Sequence, residues 1–248
     1  MAVRVDQPLP PHAVLGRYYR DPQQKRAFLT DIFDATAGDY DRVEKTLSFG
    51  SGRWYRRQAL RRAGLVGGMR VLDVAMGTGL VTREIRGIVG PDRVIGLDPS
   101  TGMIGQALRT LDVRAVVGMG ETLPFEDEAF DFVSLGYALR HLADLRVAFA
   151  EFRRVLKPGG RVLVLEITRP EGFVLRNAFN AYLNGVLPLL ARATGSGAET
   201  RRLWRYYGET IDTCVPPAVI LKALEEVGFR SAGRYVSLGL FSEFCATK

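Results

Sequence analysis

A glycine-bracketed turn after a predicted buried strand is the part of this chain best suited to bind a ligand. The stretch runs Val71-Leu72-Asp73-Val74-Ala75-Met76-Gly77-Thr78-Gly79, and a helical pattern follows it. Gly77 and Gly79 lack a Cβ, so the backbone can turn tightly and a ligand can approach it closely. The start of the following helix would direct unpaired N–H groups and the positive end of its dipole at that ligand. We expect the ligand to contact Ala75, Gly77, Thr78 and Gly79.

A carboxylate ends the next predicted strand. Asp98 closes the stretch Val94-Ile95-Gly96-Leu97-Asp98. It follows the glycines by about 20 residues, the separation at which nucleotide-binding α/β folds place an acid that holds ribose hydroxyls. Asp98 is therefore the principal predicted binding residue. The alternative is that Asp98 or Ser100 caps the helix predicted to begin after it.

The glycine spacing separates two classes of cofactor. A dinucleotide fingerprint needs a third glycine three residues after Gly79, and this chain has Thr82 there, which disfavours a dehydrogenase. The spacing Asp73-x-Ala75-x-Gly77-x-Gly79 instead resembles motif I of the class I S-adenosylmethionine-dependent methyltransferases, with alanine in place of the usual first glycine. The resemblance implies S-adenosylmethionine as the cofactor.

Two longer segments resemble one particular group among these methyltransferases. Residues 120–131 (GETLPFEDEAFD) resemble the segment between the third and fourth strands of small-molecule methyltransferases, and residues 154–166 (RVLKPGGRVLVLE) resemble their approach to strand five. Shorter matches are Ile32-Phe33-Asp34, Tyr40-Asp41, Leu47-Ser48-Phe49-Gly50 and Tyr137-Ala138-Leu139-Arg140-His141. Together they make residues 28–248 similar to the quinone-biosynthesis C-methyltransferases, which act on polyprenylated benzoquinols and naphthoquinols. The resemblance implies methylation of a prenylated quinol or a related aromatic small molecule.

The resemblance also assigns positions around the cofactor. Met119 falls where the family contacts adenine, so the base would rest on a thioether while backbone groups such as the Gly120 N–H bind it. Gly136 falls where the family commonly has a serine that contacts the cofactor. Tyr40, with Asp41, matches a segment that folds over the cofactor. Met119, Gly120, Gly136 and Tyr40 therefore join the predicted cofactor site.

Carbon methylation needs a base or a cation near the acceptor, because a ring carbon becomes nucleophilic when an adjacent hydroxyl loses its proton. Arg140 could stabilise the phenolate or orient a water, and His141, which stands where the family customarily has asparagine, could take the proton. Both are predicted catalytic residues. The alternatives are a salt bridge from Arg140 to Asp144 and a capping or otherwise satisfied polar role for His141. Tyr207 and Asp212 could line the acceptor pocket.

Alternating strand and helix patterns must position these residues. Strands are predicted near 70–75, 93–97, 113–117, 131–136 and 161–167, and helices near 79–88, 101–109 and 143–156. This alternation predicts an α/β, Rossmann-like, doubly wound and mostly parallel sheet with crossover helices. Ligands bind such sheets outside the carboxyl ends of the strands, so the predicted site residues should converge there.

The chain is predicted to be one methyltransferase domain, residues 22–248, after an extended tail, residues 1–21. Residues 22–64 hold helices at 22–37 and 52–63, with Asp21 as the first N-cap. Residues 65–168 form the cofactor-binding core. Residues 169–228 form a helical insertion or lid, with helices near 173–191, 198–212 and 217–227 and a flexible joint at Gly195-Ser196-Gly197. Residues 229–248 close the sheet with strands near 229–237 and 239–247.

The composition of the chain limits which kinds of partner the protein can bind. The net charge of +7 is dispersed, and basic clusters such as 53–57 and 201–205 are typical of solvated helix faces, so we expect no nucleic acid partner. No apolar run is long enough to span a membrane, although residues 173–191 could form a peripheral membrane contact or cover the sheet. Cys214 and Cys245 fit neither a disulfide framework nor a metal site, and we expect a cytoplasmic protein that binds no metal. The oligomeric state stays open.

Two alternatives to carbon methylation remain from the sequence. A related chain could methylate oxygen or nitrogen of a small molecule, a natural product or a phospholipid amine. A protein of another class could bind S-adenosylmethionine without turnover, as the departures at Met119 and Gly136 would allow. Methylation assays with labelled cofactor separate all three.

Overall fold

A seven-stranded sheet forms the centre of the computed structural model, which describes residues 7–47, 52–182, 185 and 197–248. Its strand order is β3-β2-β1-β4-β5-β7-β6, and β7 alone runs antiparallel to its neighbours β5 and β6. The strands are β1 Val71–Val74, β2 Val94–Asp98, β3 Arg114–Val117, β4 Phe130–Gly136, β5 Leu156–Ile167, β6 Arg230–Ser237 and β7 Phe241–Thr247. The order reverses between β1 and β4, and a ligand crevice opens at such a switch point.

Eight helices surround this sheet in the described part of the chain. They are α1 Pro22–Leu47, α2 Gly52–Arg62, α3 Leu80–Val89, α4 Thr101–Leu108, α5 Leu145–Val155, α6 Phe173–Ala181, α7 Ala198–Thr213 and α8 Pro217–Glu226. Short 3₁₀ turns occupy Pro91–Arg93 and Leu139–His141. No helix of the described residues is long and apolar enough to cross a membrane.

Two apolar cores lie on opposite faces of the sheet, because successive strand side chains point to opposite sides. On one face, Val133 and Leu135 of β4 pack with α5 and α8. On the other face, Val71 and Phe132 pack with α2 and α3. The two-faced burial explains why the parallel strands are nearly continuous apolar runs.

A third apolar cluster lies between α1, α7 and the residues before α1. It contains Tyr19, Phe28, Ile32, Leu203 and Tyr206, all of them buried. The first half of α1 and the middle of α7 are joined by this cluster, which lies apart from the two sheet cores. The cluster holds α1 and α7 in place beside the carboxyl ends of the strands.

The predicted fold is confirmed, with differences at element ends. Helix α1 extends to Leu47, beyond the predicted end at 37, because Gly38 is tolerated inside it. Strand β5 begins at Leu156, and its pairing with β4 shifts register between Phe130 and Phe132. The joint predicted at Gly195 and Ser196 and most of the predicted helix beyond Ala181 lie outside the described residues. Asp21 caps α1 as predicted, since its Oδ1 accepts from Gln24 N at 2.8 Å.

The predicted N-terminal tail needs correction, because residues 7–21 have no helix or strand yet pack onto the domain. Leu9 O accepts from Leu145 N at 3.0 Å, and Pro11 O accepts from Val215 N at 2.8 Å. His12 and Tyr19 are buried. The segment therefore ties α1 to the start of α5 and to the end of α7.

Candidate active site

The glycine turn after β1 has a left-handed backbone at three positions. Ala75 has φ +52°, Gly77 +55° and Gly79 +84°. A Cβ at Gly79 would lie 2.3 Å from Leu111 Cδ1, so Gly79 serves packing, whereas nothing lies within 4 Å of a Cβ at Gly77. Ala75 keeps the left-handed conformation despite its own Cβ, at a cost of about 1–2 kcal/mol. The turn leaves its open side at Gly77, where a ligand can approach.

Asp98 joins this turn to the loop after β2. Its Oδ2 accepts from Gly77 N at 2.8 Å, and its Oδ1 accepts from Ser100 N at 2.9 Å. Burial raises the pKa of Asp98 to about 6. Each carboxylate oxygen keeps a further lone pair for a hydroxyl donor. The helix cap is Ser100 instead, whose Oγ accepts from Met103 N at 3.0 Å.

Asp73 supports the turn from below, a role that our sequence analysis did not assign. It is buried in β1 and accepts from Thr82 Oγ1 and Ser134 Oγ, both at 2.6 Å. Burial raises its pKa to about 6. Thr82 stands where a dinucleotide-binding turn has its third glycine, and its hydroxyl binds the Asp73 carboxylate. The sequence did carry a signal for this role of Asp73, because a charged residue inside a predicted buried strand needs hydrogen-bond partners.

One cleft at the carboxyl ends of the strands brings most of the predicted residues together. Its lining includes the predicted residues Tyr40, Ala75, Gly77, Asp98, Met119, Gly120, Gly136, His141 and Tyr207. It also includes residues that the sequence analysis left without a role: Arg26, Leu29, Thr30, Phe33, Glu121 and Tyr137. The four from α1 recur at helical spacing, which is typical of any packed helix face, and among them only Phe33 lies in a segment that matches the family.

Two predicted cofactor residues, Thr78 and Gly79, are not part of this lining. Thr78 is buried, and its Oγ1 donates to Asp41 Oδ1 at 2.5 Å. That bond links the glycine turn to α1, whose Asp34 also accepts from Ser100 Oγ at 2.5 Å. Thr78 and Gly79 therefore shape the turn and attach α1 to it.

Tight packing explains the glycines at two family positions. A Cβ at Gly136 would lie 2.6 Å from Val81 Cγ2, so the family's serine would collide with this valine. A Cβ at Gly120 would lie 3.2 Å from Leu142 Cδ2 and 3.3 Å from Val74 Cγ1. At Gly136 the valine therefore occupies the room that the family's serine would need, while Gly120 is closely packed by apolar side chains.

His141 stands at the aromatic end of the cleft. Its ring stacks on Tyr206 and Tyr207, with centroids 5.7 Å away in both cases, and meets the edge of Phe33 at 5.2 Å. Its Nδ1 lies 3.5 Å from Tyr206 Oη, and among the described residues its buried Nε2 has no hydrogen-bond partner. Burial, then the charges of Arg140 and Lys25, lower its pKa well below 6.5. The imidazole is therefore neutral at pH 7, and in the tautomer with its proton on Nδ1 the Nε2 atom is a free acceptor.

Arg140 lies behind the lining residues. Its Nε is 3.1 Å from Glu166 Oε1, and its Nη1 donates to Thr210 Oγ1 at 3.3 Å and to Tyr207 O at 3.4 Å. Its guanidinium carbon is 5.4 Å from the Tyr207 ring centroid. The alternative partner Asp144 is wrong, because Asp144 caps α5 by accepting from Arg146 N and Val147 N. Arg140 thus holds Tyr207 in place.

Asp212 does not line the cleft, contrary to our prediction. It is exposed and lies 3.8 Å from Arg169 Nε. Tyr207, five residues earlier on α7, does line the cleft, and its Oη is 3.2 Å from Tyr40 Oη. Helix α7 therefore contributes to the cleft through one face only.

Lys25 and His12 anchor the backbone of the loop that carries His141, and the sequence analysis missed both. Lys25 Nζ donates to Arg140 O at 3.2 Å and to Leu142 O at 2.8 Å. His12 Nε2 lies 3.1 Å from Arg140 O. Burial lowers the pKa of Lys25 to about 8 and that of His12 to about 4. The partners are more than a hundred residues apart, so no local pattern reveals them.

The cleft fits the cofactor that the glycine spacing implies. Gly77 presents open space at the turn, and Asp98 lies beside it with lone pairs for ribose hydroxyls. Met119 and Leu97 give an apolar surface for a base, next to the Gly120 backbone. Within the described part of the chain no cluster of His, Cys, Asp or Glu could hold a metal ion.

Solved structures share this architecture. A possible histamine N-methyltransferase from Thermotoga maritima superposes with a TM-score of 0.63 at 20% identity, covering 88% of this chain and 99% of its own. A phosphoethanolamine N-methyltransferase from Haemonchus contortus, solved with S-adenosylhomocysteine, gives 0.62 at 19% identity over 88% of this chain and 59% of its own. At these identities the likeness concerns the fold alone.

Fold and cleft together define a class I S-adenosylmethionine-dependent methyltransferase. The sequence profile of the ubiE/COQ5 methyltransferase family matches residues 21–247. The ubiquinone/menaquinone biosynthesis C-methyltransferase UbiE of Hahella chejuensis is 31% identical over 213 residues, which are 83% of this chain and 84% of that protein. The chain belongs to the ubiE/COQ5 methyltransferase family, and its cofactor is S-adenosylmethionine.

Proposed function

We propose that the protein methylates a ring carbon of a prenylated quinol or a related aromatic small molecule. The observation that carries this proposal is the unpaired, buried Nε2 of His141 at the aromatic end of the cleft. A buried polar atom without a partner is rare in proteins. With the imidazole proton on Nδ1, the Nε2 atom is an acceptor, and the hydroxyl of a quinol is a donor that would satisfy it. The name of the Hahella chejuensis relative supports the same class of acceptor.

The neutral His141 side chain gives the acceptor hydroxyl a place to lose its proton. Nε2 accepts the hydrogen bond, and as the proton moves to it the quinol ring gains electron density at the adjacent carbon. Bound S-adenosylmethionine supplies an electrophilic methyl group on its sulfonium. Methylation of that ring carbon would break the methyl–sulfur bond and release S-adenosylhomocysteine. The ring carbon would then lose its own proton to solvent, and Nε2 would return the hydroxyl proton to the oxygen as aromaticity is restored. Because the resting pKa of His141 is low, the proton is held on Nε2 only while the phenolate faces it.

Aromatic side chains orient the acceptor. Phe33 and Tyr207 border His141, and Tyr40 lines the cleft with its Oη 3.2 Å from Tyr207 Oη. Displacement at carbon needs the nucleophile, methyl and sulfur in line, and holding reactants in near-attack geometry can supply up to about 7–11 kcal/mol. Arg140 acts as a positioning residue, since it contacts Tyr207 rather than the cleft.

The proposed acceptor also suggests where the enzyme works. A prenyl chain keeps its quinol in a bilayer, so the protein would act from the cytoplasm at the inner face of the membrane. The basic composition, with a net charge of +7, favours approach to acidic lipid headgroups. This peripheral association is part of the proposal.

A substrate panel with labelled S-adenosylmethionine tests the proposal. We expect a mass increase of one methyl group on demethyl benzoquinols or naphthoquinols that carry a short prenyl chain, with the new carbon on the ring by NMR. Methylation that occurs only at a hydroxyl or an amine would contradict it and would favour the oxygen or nitrogen alternatives.

A His141→Phe variant tests the role of the imidazole, since it keeps an aromatic ring and removes both nitrogens. General base catalysis contributes about 10²–10⁴-fold, so kcat should fall at least 100-fold while the Kd for S-adenosylmethionine stays within about twofold. A Phe33→Leu variant, which alters the neighbouring ring but leaves Nε2 in place, is the matched control. Equal losses in both variants would assign His141 to packing alone.

A further inference from the structure

Three large apolar side chains are the most exposed of their kind among the described residues. Leu238 is 78% exposed, Phe173 71% and Trp54 67%. Tyr235, at 52%, joins Trp54 and Phe173 as the exposed aromatic residues of this part of the chain. Single exposed leucines are ordinary, but three such side chains on one side of a molecule mark an interaction surface.

All of these residues lie at the carboxyl rim of the sheet, where the cleft opens. Ile167 at the end of β5 pairs with Phe241 at the start of β7, so the β6–β7 turn with Leu238 is at this rim. Helix α6, with Phe173, follows β5 directly. A Cβ at Gly239 would lie 2.6 Å from Leu175 Cδ2, which shows that the turn and α6 are in contact.

Helix α2 reaches the same rim. The ring centroids of Tyr55 and Phe241 are 4.9 Å apart, and Arg53 Nε is 2.8 Å from Glu84 Oε1 in the first turns of α3, the helix that starts at the glycine turn. Trp54 lies between these two anchored residues. The start of α2 therefore places Trp54 on the side of the molecule that carries the cleft.

The charge of α2 is suited to an anionic partner. Its sequence, GRWYRRQALRR, has five arginines and no acidic residue. Arg53, Arg57 and Arg61 recur at a spacing of four and share one side of the helix. Among the described residues, no carboxylate lies within ion-pair distance of Arg57 or Arg61. Arginines beside an exposed tryptophan are typical of protein segments that lie in the headgroup region of a membrane.

We propose that the rim face, formed by Trp54 and Arg57 of α2, Phe173 of α6 and Leu238 of the β6–β7 turn, docks on a bilayer of anionic lipid. The apolar side chains enter the headgroup boundary and Arg57 binds lipid phosphates. This inference rests on the proposed function, in which the acceptor is held in a bilayer. Docking by the rim face would turn the mouth of the cleft toward that acceptor.

Vesicle co-sedimentation tests the rim face. The full-length protein should bind vesicles of phosphatidylglycerol and phosphatidylcholine, bind pure phosphatidylcholine at least tenfold more weakly, and lose affinity as salt rises. Phe173→Ser with Leu238→Ser should weaken binding to anionic vesicles at least tenfold, and Arg57→Gln alone should weaken it severalfold. Val66→Ser is the control, since Val66 is 56% exposed but lies before β1 at the opposite rim.

Tryptophan fluorescence gives a second measurement. Trp54 and Trp204 are the two tryptophans of the chain, so a Trp204→Phe variant reports on Trp54 alone. Its emission should shift to shorter wavelength when anionic vesicles are added. An unshifted emission, or rim variants that bind like Val66→Ser, would overturn the proposal. Rim variants that change self-association without changing vesicle binding would also overturn it, in favour of a second copy of the chain.

Activity on a soluble acceptor separates this inference from the proposed function. Rim variants should methylate a short-chain quinol in vesicle-free buffer as the wild type does, and lose activity on a long-chain quinol in anionic vesicles. Full activity of the rim variants on the vesicle-borne quinol would overturn the docking proposal alone. Vesicle binding without methylation of any quinol would leave the rim face in place and overturn the acceptor assignment.

Discussion

Asp98 shows how one side chain can fix a loop and face a ligand at once. It accepts N–H groups from Gly77 and Ser100, which belong to different loops, and it lines the cleft. The same burial that orients the carboxylate raises its pKa to about 6. Ribose hydroxyls that donate to it would favour the charged form.

Cofactor affinity should therefore depend on pH through Asp98. Binding favours the ionised carboxylate, so affinity should rise as pH increases through about 6 and level off above pH 7. Calorimetry with S-adenosylmethionine between pH 5 and 8 measures this. Asp98→Asn should flatten the profile, and Asp98→Ala should weaken binding at pH 7.5 by roughly 1–3 kcal/mol. Asp112→Asn, at an exposed carboxylate, should leave the wild-type profile unchanged; an unchanged profile in Asp98→Asn would remove Asp98 from the site.

At the scale of elements, the loop between β4 and α5 is held from α1. Lys25 is buried and donates to the carbonyls on both sides of His141, at Arg140 and Leu142. The left-handed backbone of Tyr137, with φ +60°, starts this loop at the end of β4. Helix α1 thus determines where the imidazole points, although it is distant in sequence.

Replacing Lys25 should loosen this loop. Lys25→Met keeps most of the side-chain volume but leaves Leu142 O without its donor and Arg140 O with His12 alone, which should cost about 1–3 kcal/mol of unfolding free energy. We expect kcat to fall at least tenfold with the Kd for S-adenosylmethionine nearly unchanged, measured by turnover and calorimetry. Lys222→Met, at an exposed lysine of α8, is the control. A larger effect on cofactor affinity than on kcat would place Lys25 in the cofactor site instead.

At the scale of the whole molecule, the N-terminal segment supports the end of the cleft that carries His141. Residues 7–21 bury Tyr19 against α1 and α7 and place His12 at the Arg140 carbonyl. They bind the start of α5 through Leu9. The acceptor end is therefore assembled from the N-terminal segment, α1, the β4–α5 loop and α7, while the cofactor end belongs to the sheet.

Deleting residues 1–21 should separate these two ends. Because burial of one large apolar side chain contributes about 1.5–3 kcal/mol, we expect the unfolding free energy to fall by about 3 kcal/mol or more. Methylation should fall more than cofactor binding does, since the sheet end stays intact. Denaturant unfolding, calorimetry and turnover measure these effects. A shorter deletion of residues 1–6 is the control. If the deletion of residues 1–21 had no larger effect on unfolding free energy and turnover than this control, the segment would be a tail without a structural role.

Local patterns in the sequence determined the sheet and the cofactor end of the cleft. Strand and helix periodicities, the glycine turn and Asp98 depend on neighbours within about 20 residues, so their chemistry can be inferred from spacing. The family resemblance added Met119, Gly120, Gly136, Tyr40 and His141, all of which line the cleft.

Only the tertiary structure determined which side chains surround the end of the cleft that carries His141. Glu166 rather than Asp144 pairs with Arg140, Asp212 faces away from the cleft, and Lys25 holds a loop more than a hundred residues later. The rim face likewise joins α2, α6 and the β6–β7 turn, which are far apart in the chain. These contacts depend on how helices cross the rim of the folded sheet, and pairings between distant segments leave no periodic trace in either partner's local sequence.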